Sequence, residues 1–196
     1  METKEINSNI ITEIDGSRFE VFKMETSEEK LFELFKDIYE NYWDKIQFGT
    51  QVQGAVWEVA APNAPTRISL LDGYLTVDFG AWHFHICIGE NNGTKKFPTP
   101  EELKLHRKTS SAEFYRRLSN EGIPSSWGFR CFNGKNEQQA TIFFPNPNYD
   151  LFPKFKKNNP PKWEKLEMWD TLRKKYLGLE PDDLDRETEF NACGTH

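Results

Sequence analysis

Residues 81–89 read Ala81-Trp82-His83-Phe84-His85-Ile86-Cys87-Ile88-Gly89. Apolar and polar side chains alternate along this run, and a period of two residues predicts a β-strand. Because successive side chains on a strand point to opposite faces, His83, His85 and Cys87 share one face and the apolar residues share the other. We therefore expect a strand that packs on the core with its apolar side and presents imidazole and thiol groups on its polar side.

A predicted hairpin precedes this strand. Its arms are residues 67–71 and 74–79, and the Asp72-Gly73 pair between them is a strong signal for a two-residue turn. Side chains alternate in the same way along the other predicted strands. The polar face of the expected sheet should therefore gather titratable and hydrogen-bonding side chains from several strands, namely Tyr74, Asp78, Arg130 and Gln139.

Three other segments have apolar residues at helical spacing. They are expected to run from Ser27 to about Lys45, from Pro100 to about Asn120, and from Trp163 to Leu177. Further strands are expected at 18–23, 54–59, 127–133 and 138–144. This order predicts an α+β fold with a mostly antiparallel, twisted sheet of about five to seven strands, helices on one face and the opposite face partly open.

The domain organisation follows from the same patterns. One α+β domain is expected over residues 17–180, since a chain of 196 residues is most economically a single domain. Residues 1–16 are polar, and residues 181–196 are acidic, so both are expected to be flexible.

Composition argues against two classes of partner. The net charge of −6 and the pI near 5.4 do not suit a protein that holds nucleic acid. No run approaches the 18 apolar residues or more of a membrane span, and the N-terminus lacks the apolar segment of a signal peptide. Three widely spaced cysteines argue against a disulfide framework. We therefore expect a cytoplasmic protein whose partner is a small molecule, and the oligomeric state stays open.

The polar face of the central strand suggests a metal site. Imidazole and thiolate groups bind Zn and Fe well. At about 3.3 Å per residue, alternate positions lie about 6.6 Å apart, so two neighbours can share one ion but three in a row cannot. His106, on the second predicted helix, is the best third ligand. The expected metal ligands are therefore His83, His85 and His106, with Cys87 beside them.

Two carboxylates accompany this hypothesis of a metal-dependent enzyme. Glu113 lies seven residues after His106, so both fall on one face of the predicted helix. Asp78 lies on the expected polar face. Either carboxylate is expected to serve as a general base or to orient a metal ligand.

Two other readings remain open. A metal-free protein could use the same face to bind an acidic small molecule, with Arg130 or Arg107 steering the anion, Tyr74 and Gln139 lining the pocket, and a histidine carrying a proton. An interaction domain would use exposed aromatic residues, for which Trp43 and Trp163 are the candidates. No nucleotide-binding, hydrolase or zincin motif is present, so no nucleotide cofactor is expected.

The remaining cysteines have simpler expectations. Cys131 is expected to face the core and to be inert. Cys193 and His196 have the spacing of ligands, but their place at the terminus favours no site.

Three segments have distinctive compositions: Trp82–Gly89 (WHFHICIG), His106–Thr109 with Ala112–Tyr115, and Ser126–Gly134 (SWGFRCFNG) with Glu137–Gln139. Together they resemble a family of uncharacterised bacterial proteins, a domain of unknown function, over residues 20 to 186. The resemblance implies that the three segments belong to one domain, and it supplies no catalytic residues.

Overall fold

The computed structural model describes residues 8–150 and 155–187. The helices are α1 (Glu28–Asn41), α2 (Glu101–Arg107) and α3 (Glu167–Leu177), with single 3-10 turns at Trp163–Leu166 and Asp183–Arg186. The strands are β1 (Asn9–Thr12), β2 (Arg18–Lys23), β3 (Gln47–Gly49), β4 (Gln51–Val52), β5 (Ala55–Val56), β6 (Arg67–Leu71), β7 (Tyr74–Asp78), β8 (His83–Cys87), β9 (Thr109–Leu118), β10 (Pro124–Asn133), β11 (Gln138–Phe143), β12 (Tyr149–Asp150) and β13 (Lys156–Lys157). None of the helices in these ranges is long and apolar enough to cross a membrane.

The strands form one large sheet and smaller ones. The large sheet has six strands in the order β1-β2-β9-β10-β11-β3. Strands β6, β7 and β8 form a separate antiparallel sheet, and two-stranded pairs complete the set. The α+β class and the predominance of antiparallel sheet are confirmed. We had expected β8, which carries His83 and His85, to lie in one sheet with Arg130 and Gln139. It lies instead at an edge of the three-stranded sheet, whereas Arg130 and Gln139 are in the six-stranded sheet.

The chain divides into two compact units. Of the described residues, 8–22, 114–128, 144–150 and 155–187 belong to the first unit, and 23–113 and 129–143 belong to the second. The boundary falls inside the two longest strands, β9 and β10.

The core of the second unit is an aromatic cluster under β8. Helix α1 buries one stripe completely, including Phe35, Ile38 and Tyr39. The Tyr39 ring meets Phe48 edge-on, with 5.1 Å between ring centroids, and lies 5.4 Å from Phe84 of β8. Such aromatic pairs add stability beyond the area they bury. This packing fixes the apolar face of β8 inward, as the alternation predicted.

The first unit is built around one buried carboxylate. Asp185 is fully buried and accepts hydrogen bonds from the indole N–H groups of Trp127 (2.7 Å) and Trp169 (2.8 Å). The guanidinium groups of Arg116 (2.9 Å) and Arg173 (3.3 Å) donate to the same carboxylate. A buried charge is tolerated only when it is paired and hydrogen-bonded in this way. Asp185 lies in the tail that we expected to be flexible, and the structure has a 3-10 turn at Asp183–Arg186 that carries this buried carboxylate.

The second predicted helix is also much shorter than expected. Helix α2 ends at Arg107, and residues 109–118 form strand β9 instead of a helical continuation to Asn120. Thr109 and the aromatic pair Phe114-Tyr115 favour a strand, and the paired strand buries five consecutive residues, 112–116, so that no simple polar/apolar alternation marks it in the sequence. The shared helix face of His106 and Glu113 therefore does not exist.

We expect Asp185→Asn to lower the free energy of unfolding by about 3–5 kcal/mol, the usual cost of removing one partner from a buried charged network. The replacement keeps the shape but turns an amide N–H toward groups that are all donors. Urea unfolding followed by tryptophan fluorescence measures the change. Asp183→Asn, an exposed neighbour in the same turn, is the control and should change stability by less than about 0.5 kcal/mol. Equal effects of the two substitutions would contradict a role for the buried carboxylate.

Candidate functional site

The register of β7 and β8 confirms the predicted polar face of the His strand. Asp78 pairs with His83, Thr76 with His85, and Tyr74 with Cys87. Residues opposite one another in an antiparallel pair lie on the same side of the sheet, with Cβ atoms about 4.5–5.5 Å apart. The polar face is therefore a three-row strip, and its rows differ in burial, because His83 and His85 are exposed whereas Cys87 is only 4% exposed.

The two exposed histidines are close neighbours. Their ring centroids lie 4.9 Å apart, and the planes are inclined by 71°. The Nδ1 atom of His85 is 2.8 Å from the Thr76 hydroxyl, which fixes the orientation of that ring. The strand thus brings His83 and His85 together as the sequence predicted.

The third expected metal ligand is bonded elsewhere. The Nε2 atom of His106 lies 2.8 Å from a carboxylate oxygen of Glu137, which also accepts from the Asn133 amide. The backbone N–H of Gly134 donates to the carbonyl of His106, at 3.0 Å. These contacts hold the end of α2 against the turn between β10 and β11. They also explain why the pKa of Glu137 lies below its usual value: Asn133 and then His106 stabilise the ionised carboxylate.

The expected three-histidine site is not formed. In residues 8–150 and 155–187, no three His, Cys, Asp or Glu side chains are grouped so that they could hold a metal ion. His106, in the last turn of α2, is bonded to Glu137 instead. Cys87 cannot replace it, since its Sγ atom is buried and 3.5 Å from the carbonyl of Gly89.

The two expected catalytic carboxylates are each engaged. Glu113 is buried in β9, and its carboxylate accepts from Nε of Arg130 at 2.8 Å. Asp78 accepts the backbone N–H of Gly80 at 2.8 Å and lies 3.6 Å from the guanidinium of Arg67. The structure therefore separates Glu113 and Asp78 into different ion pairs, and Arg130 is the partner of one of them.

Three of the four expected ligand-binding residues do come together, at the buried end of the strip. We call this group the Arg107 cluster; its members are Tyr74, Cys87, Asn91, Arg107 and Gln139. Arg107 donates to the Asn91 side-chain oxygen at 2.7 Å, and the Gln139 amide donates to the backbone carbonyl of Arg107 at 2.8 Å. Gln139 and Thr109 also bond the carbonyl of Cys87.

Electrostatics in the Arg107 cluster favour protonated donors. Burial raises the pKa of the Cys87 thiol, and the positive charge of Arg107 partly opposes this. Burial and the neighbouring Cys87 raise the pKa of the Tyr74 phenol, again against the influence of Arg107. At neutral pH both groups therefore keep their protons, and neither adds a negative charge next to the guanidinium of Arg107.

The cluster is attached to the β6–β7 turn by a residue that sequence reasoning overlooked. Asp72 accepts hydrogen bonds from the Asn91 amide (2.7 Å) and from the backbone N–H groups of Asn92 (2.7 Å) and Gly93 (2.9 Å). These backbone donors lower the pKa of Asp72. The sequence marked Asp72-Gly73 as a turn, and both residues indeed have positive φ angles (48° and 78°). Its second role, as the acceptor that holds the loop, had one signal in the sequence: a turn aspartate and, further along the chain, the loop Asn91-Asn92-Gly93, whose backbone N–H groups need acceptors.

The aromatic residues expected at an interaction surface are not the most exposed ones. Trp43 and Trp163 are half-buried. Among the described residues, larger exposed apolar side chains include Trp57 (64% exposed) on the β4–β5 hairpin and Leu71 (79% exposed), which pairs with Tyr74 at the edge of the strip. Leu71 thus gives the Arg107 cluster an apolar neighbour.

Replacing Asp72 should loosen the loop that carries Asn91. We expect Asp72→Asn to speed hydrogen exchange at the amides of Asn92 and Gly93, because an amide oxygen is a weaker acceptor than a carboxylate. The wild-type protein should behave similarly in acid. Because the pKa of Asp72 is lowered in the folded state, the protection of these amides from hydrogen exchange is complete above about pH 4. It is lost as the pH falls through the pKa that Asp72 has in the folded protein. Unchanged exchange in both cases would contradict this role. Asp44→Asn, far along the chain, is the control.

Cys87 should react slowly with alkylating reagents. The thiolate is the reactive form, so a raised pKa and a buried Sγ predict alkylation at pH 8 at least about tenfold slower than for an exposed cysteine. Arg107→Gln should slow the chemical step further, since the charge that favours the thiolate is gone. Mass spectrometry of a Cys193→Ser protein isolates the signal from Cys87 and Cys131, and the latter is fully buried with its pKa raised to about 12. Rapid modification of Cys87 would contradict a buried, protonated thiol at this position.

Comparisons with known proteins agree with the resemblance seen in the sequence. None of the curated proteins compared with the chain matches it. A family model described as a family of unknown function (DUF7676) matches residues 8–178, which is most of the chain. The chain therefore belongs to DUF7676, a family of unknown function.

Proposed function

We propose that this protein binds a small molecule that carries a carboxylate or phosphate group, and that Arg107 receives this group. Tyr74 and Cys87 lie beside the bound anion in this proposal, and the exposed histidines line the path toward solvent. No metal ion is needed for the binding.

One observation carries the proposal: the guanidinium of Arg107 has no carboxylate partner among the described residues. Its hydrogen bond goes to the neutral amide of Asn91. The buried arginines elsewhere are all paired with acids: Arg116 with Glu20, Asp182 and Asp185; Arg130 with Glu113; Arg173 with Asp185. A half-buried guanidinium with unused donors is suited to bidentate recognition of a carboxylate or phosphate.

The neighbours of Arg107 support an anionic ligand. Tyr74 and Cys87 are protonated at neutral pH, because burial raises the pKa of each, so neither places a negative charge beside Arg107. The carboxylate of Asp72, in the adjacent β6–β7 turn, already accepts from three N–H donors. Leu71 adds exposed apolar surface next to Tyr74. A ligand with one anionic end and an apolar body fits this combination.

Thermal unfolding in the presence of simple anions tests the proposal. The probes are inorganic phosphate, succinate and benzoate, each against sodium chloride of equal ionic strength. A ligand at ten times its Kd stabilises the protein by about 1.4 kcal/mol. For a chain of this length, that raises Tm by about 3–6 °C. We expect a shift of this order for at least one of the three probes.

Two variants locate the binding. Arg107→Gln should abolish the shift, whereas Lys108→Ala, which removes one positive charge from the adjacent residue, should leave it intact. Perturbed amide signals of Asn91 and Gln139 on titration would place the anion at the cluster. The proposal fails if no probe raises Tm, or if the shift persists in Arg107→Gln.

A further inference from the structure

We propose that His83 and His85 form an open two-histidine site for a late first-row divalent cation, with Cu²⁺ preferred. The site uses the exposed rows of the strip, while the proposed anion site uses its buried end. It does not depend on Arg107, and the two proposals can fail separately.

The spacing of the two rings suits a shared ion. A metal–nitrogen bond of about 2.0–2.1 Å and a nitrogen–metal–nitrogen angle of about 90–110° put two imidazole centroids about 4.4–5.2 Å apart. The rings of His83 and His85 have centroids 4.9 Å apart. Both side chains are exposed and sit at alternate positions of one strand. A cation can therefore be bound by rotation of the His83 ring toward His85, without any change in the backbone.

Thr76 gives His85 the support that metal-binding histidines usually have. Such a histidine donates its other ring N–H to an oxygen acceptor, which fixes the tautomer and the ring orientation. Here the Thr76 hydroxyl lies 2.8 Å from Nδ1 of His85, and it sits directly across the strand pair. Donation from Nδ1 leaves the Nε2 lone pair of His85 available to a cation.

The ligand set determines which metal is preferred. No third His, Cys, Asp or Glu of the described residues completes the group, so water fills the remaining positions. Asp78, across from His83, is held by Gly80 and Arg67. Two imidazoles and water form a tetragonal nitrogen–oxygen set that suits Cu²⁺ and Ni²⁺, and affinity rises toward Cu²⁺ in the divalent series. Zn²⁺ is expected to bind more weakly.

Equilibrium dialysis against CuSO₄ tests the site, with tag-free protein in the Cys193→Ser, His196→Ala background. This background removes the terminal thiol and imidazole, which lie outside the described residues. We expect one Cu²⁺ per chain, and an electron paramagnetic resonance spectrum with two coordinated imidazole nitrogens. His83→Ala and His85→Ala should each weaken binding at least tenfold, and Thr76→Val should weaken it about tenfold while both rings remain.

His106→Ala is the matched control, because His106 is bonded to Glu137 away from this pair. It should bind Cu²⁺ like the parent protein. The inference is overturned if binding is below a tenth of an equivalent, if it survives in the His83→Ala, His85→Ala double variant, or if the spectrum shows no imidazole nitrogen. Full binding by Arg107→Gln supports the independence of this site from the anion site.

Discussion

The aromatic packing beneath β8 is the constraint on which both candidate sites depend. Phe84 contacts two buried aromatic residues, Tyr39 of α1 and Phe48 of β3. Side chains alternate along a strand, so a register shift of one residue would turn the apolar set outward and bury the histidines. The aromatic contacts of Phe84 and the burial of Ile86 therefore determine that His83, His85 and Cys87 face the other way. The chemistry of the strip is a consequence of apolar packing on the opposite face.

The chain surrounding β8 then divides this strip into two environments. Toward Cys87, Thr109 and Gln139 cover the backbone, and the loop that carries Asn91 is fastened to Asp72. The thiol is buried there, and its pKa is raised accordingly. Toward His83 none of the described residues forms such a cover, and the imidazoles stay exposed. One strand therefore has a buried end at Cys87 and an exposed end that carries two imidazoles.

Features set by local pattern could be predicted from the sequence. Alternation gave the two faces of β8, and Asp72-Gly73 gave the turn, because both depend on near neighbours in the chain. The secondary structure of residues 109–118 could not be derived that way. Ala112, Phe114 and Leu118 fit either a helix or a strand, and pairing in the large sheet decides between them. That one misassignment displaced Glu113 and, with it, the expected partnership with His106. Asp185 was missed for a related reason, since an acidic tail gives no local sign of the tryptophans and arginines that bury it.

The distribution of charge gives the strongest reason to regard the Arg107 cluster as functional. Burying a cation costs free energy unless an anion or several acceptors compensate, and this chain compensates Arg116, Arg130 and Arg173 with carboxylates. Among the described residues, the acceptor of Arg107 is the neutral amide oxygen of Asn91. The nearby carboxylate of Asp72 accepts hydrogen bonds from the backbone of Asn92 and Gly93 and forms no ion pair with Arg107. An external anion would supply the negative charge that the other arginines obtain from carboxylates of the chain. A cation bound by His83 and His85, about 7–13 Å along the same strand from Cys87, would strengthen the attraction of the cluster for that anion.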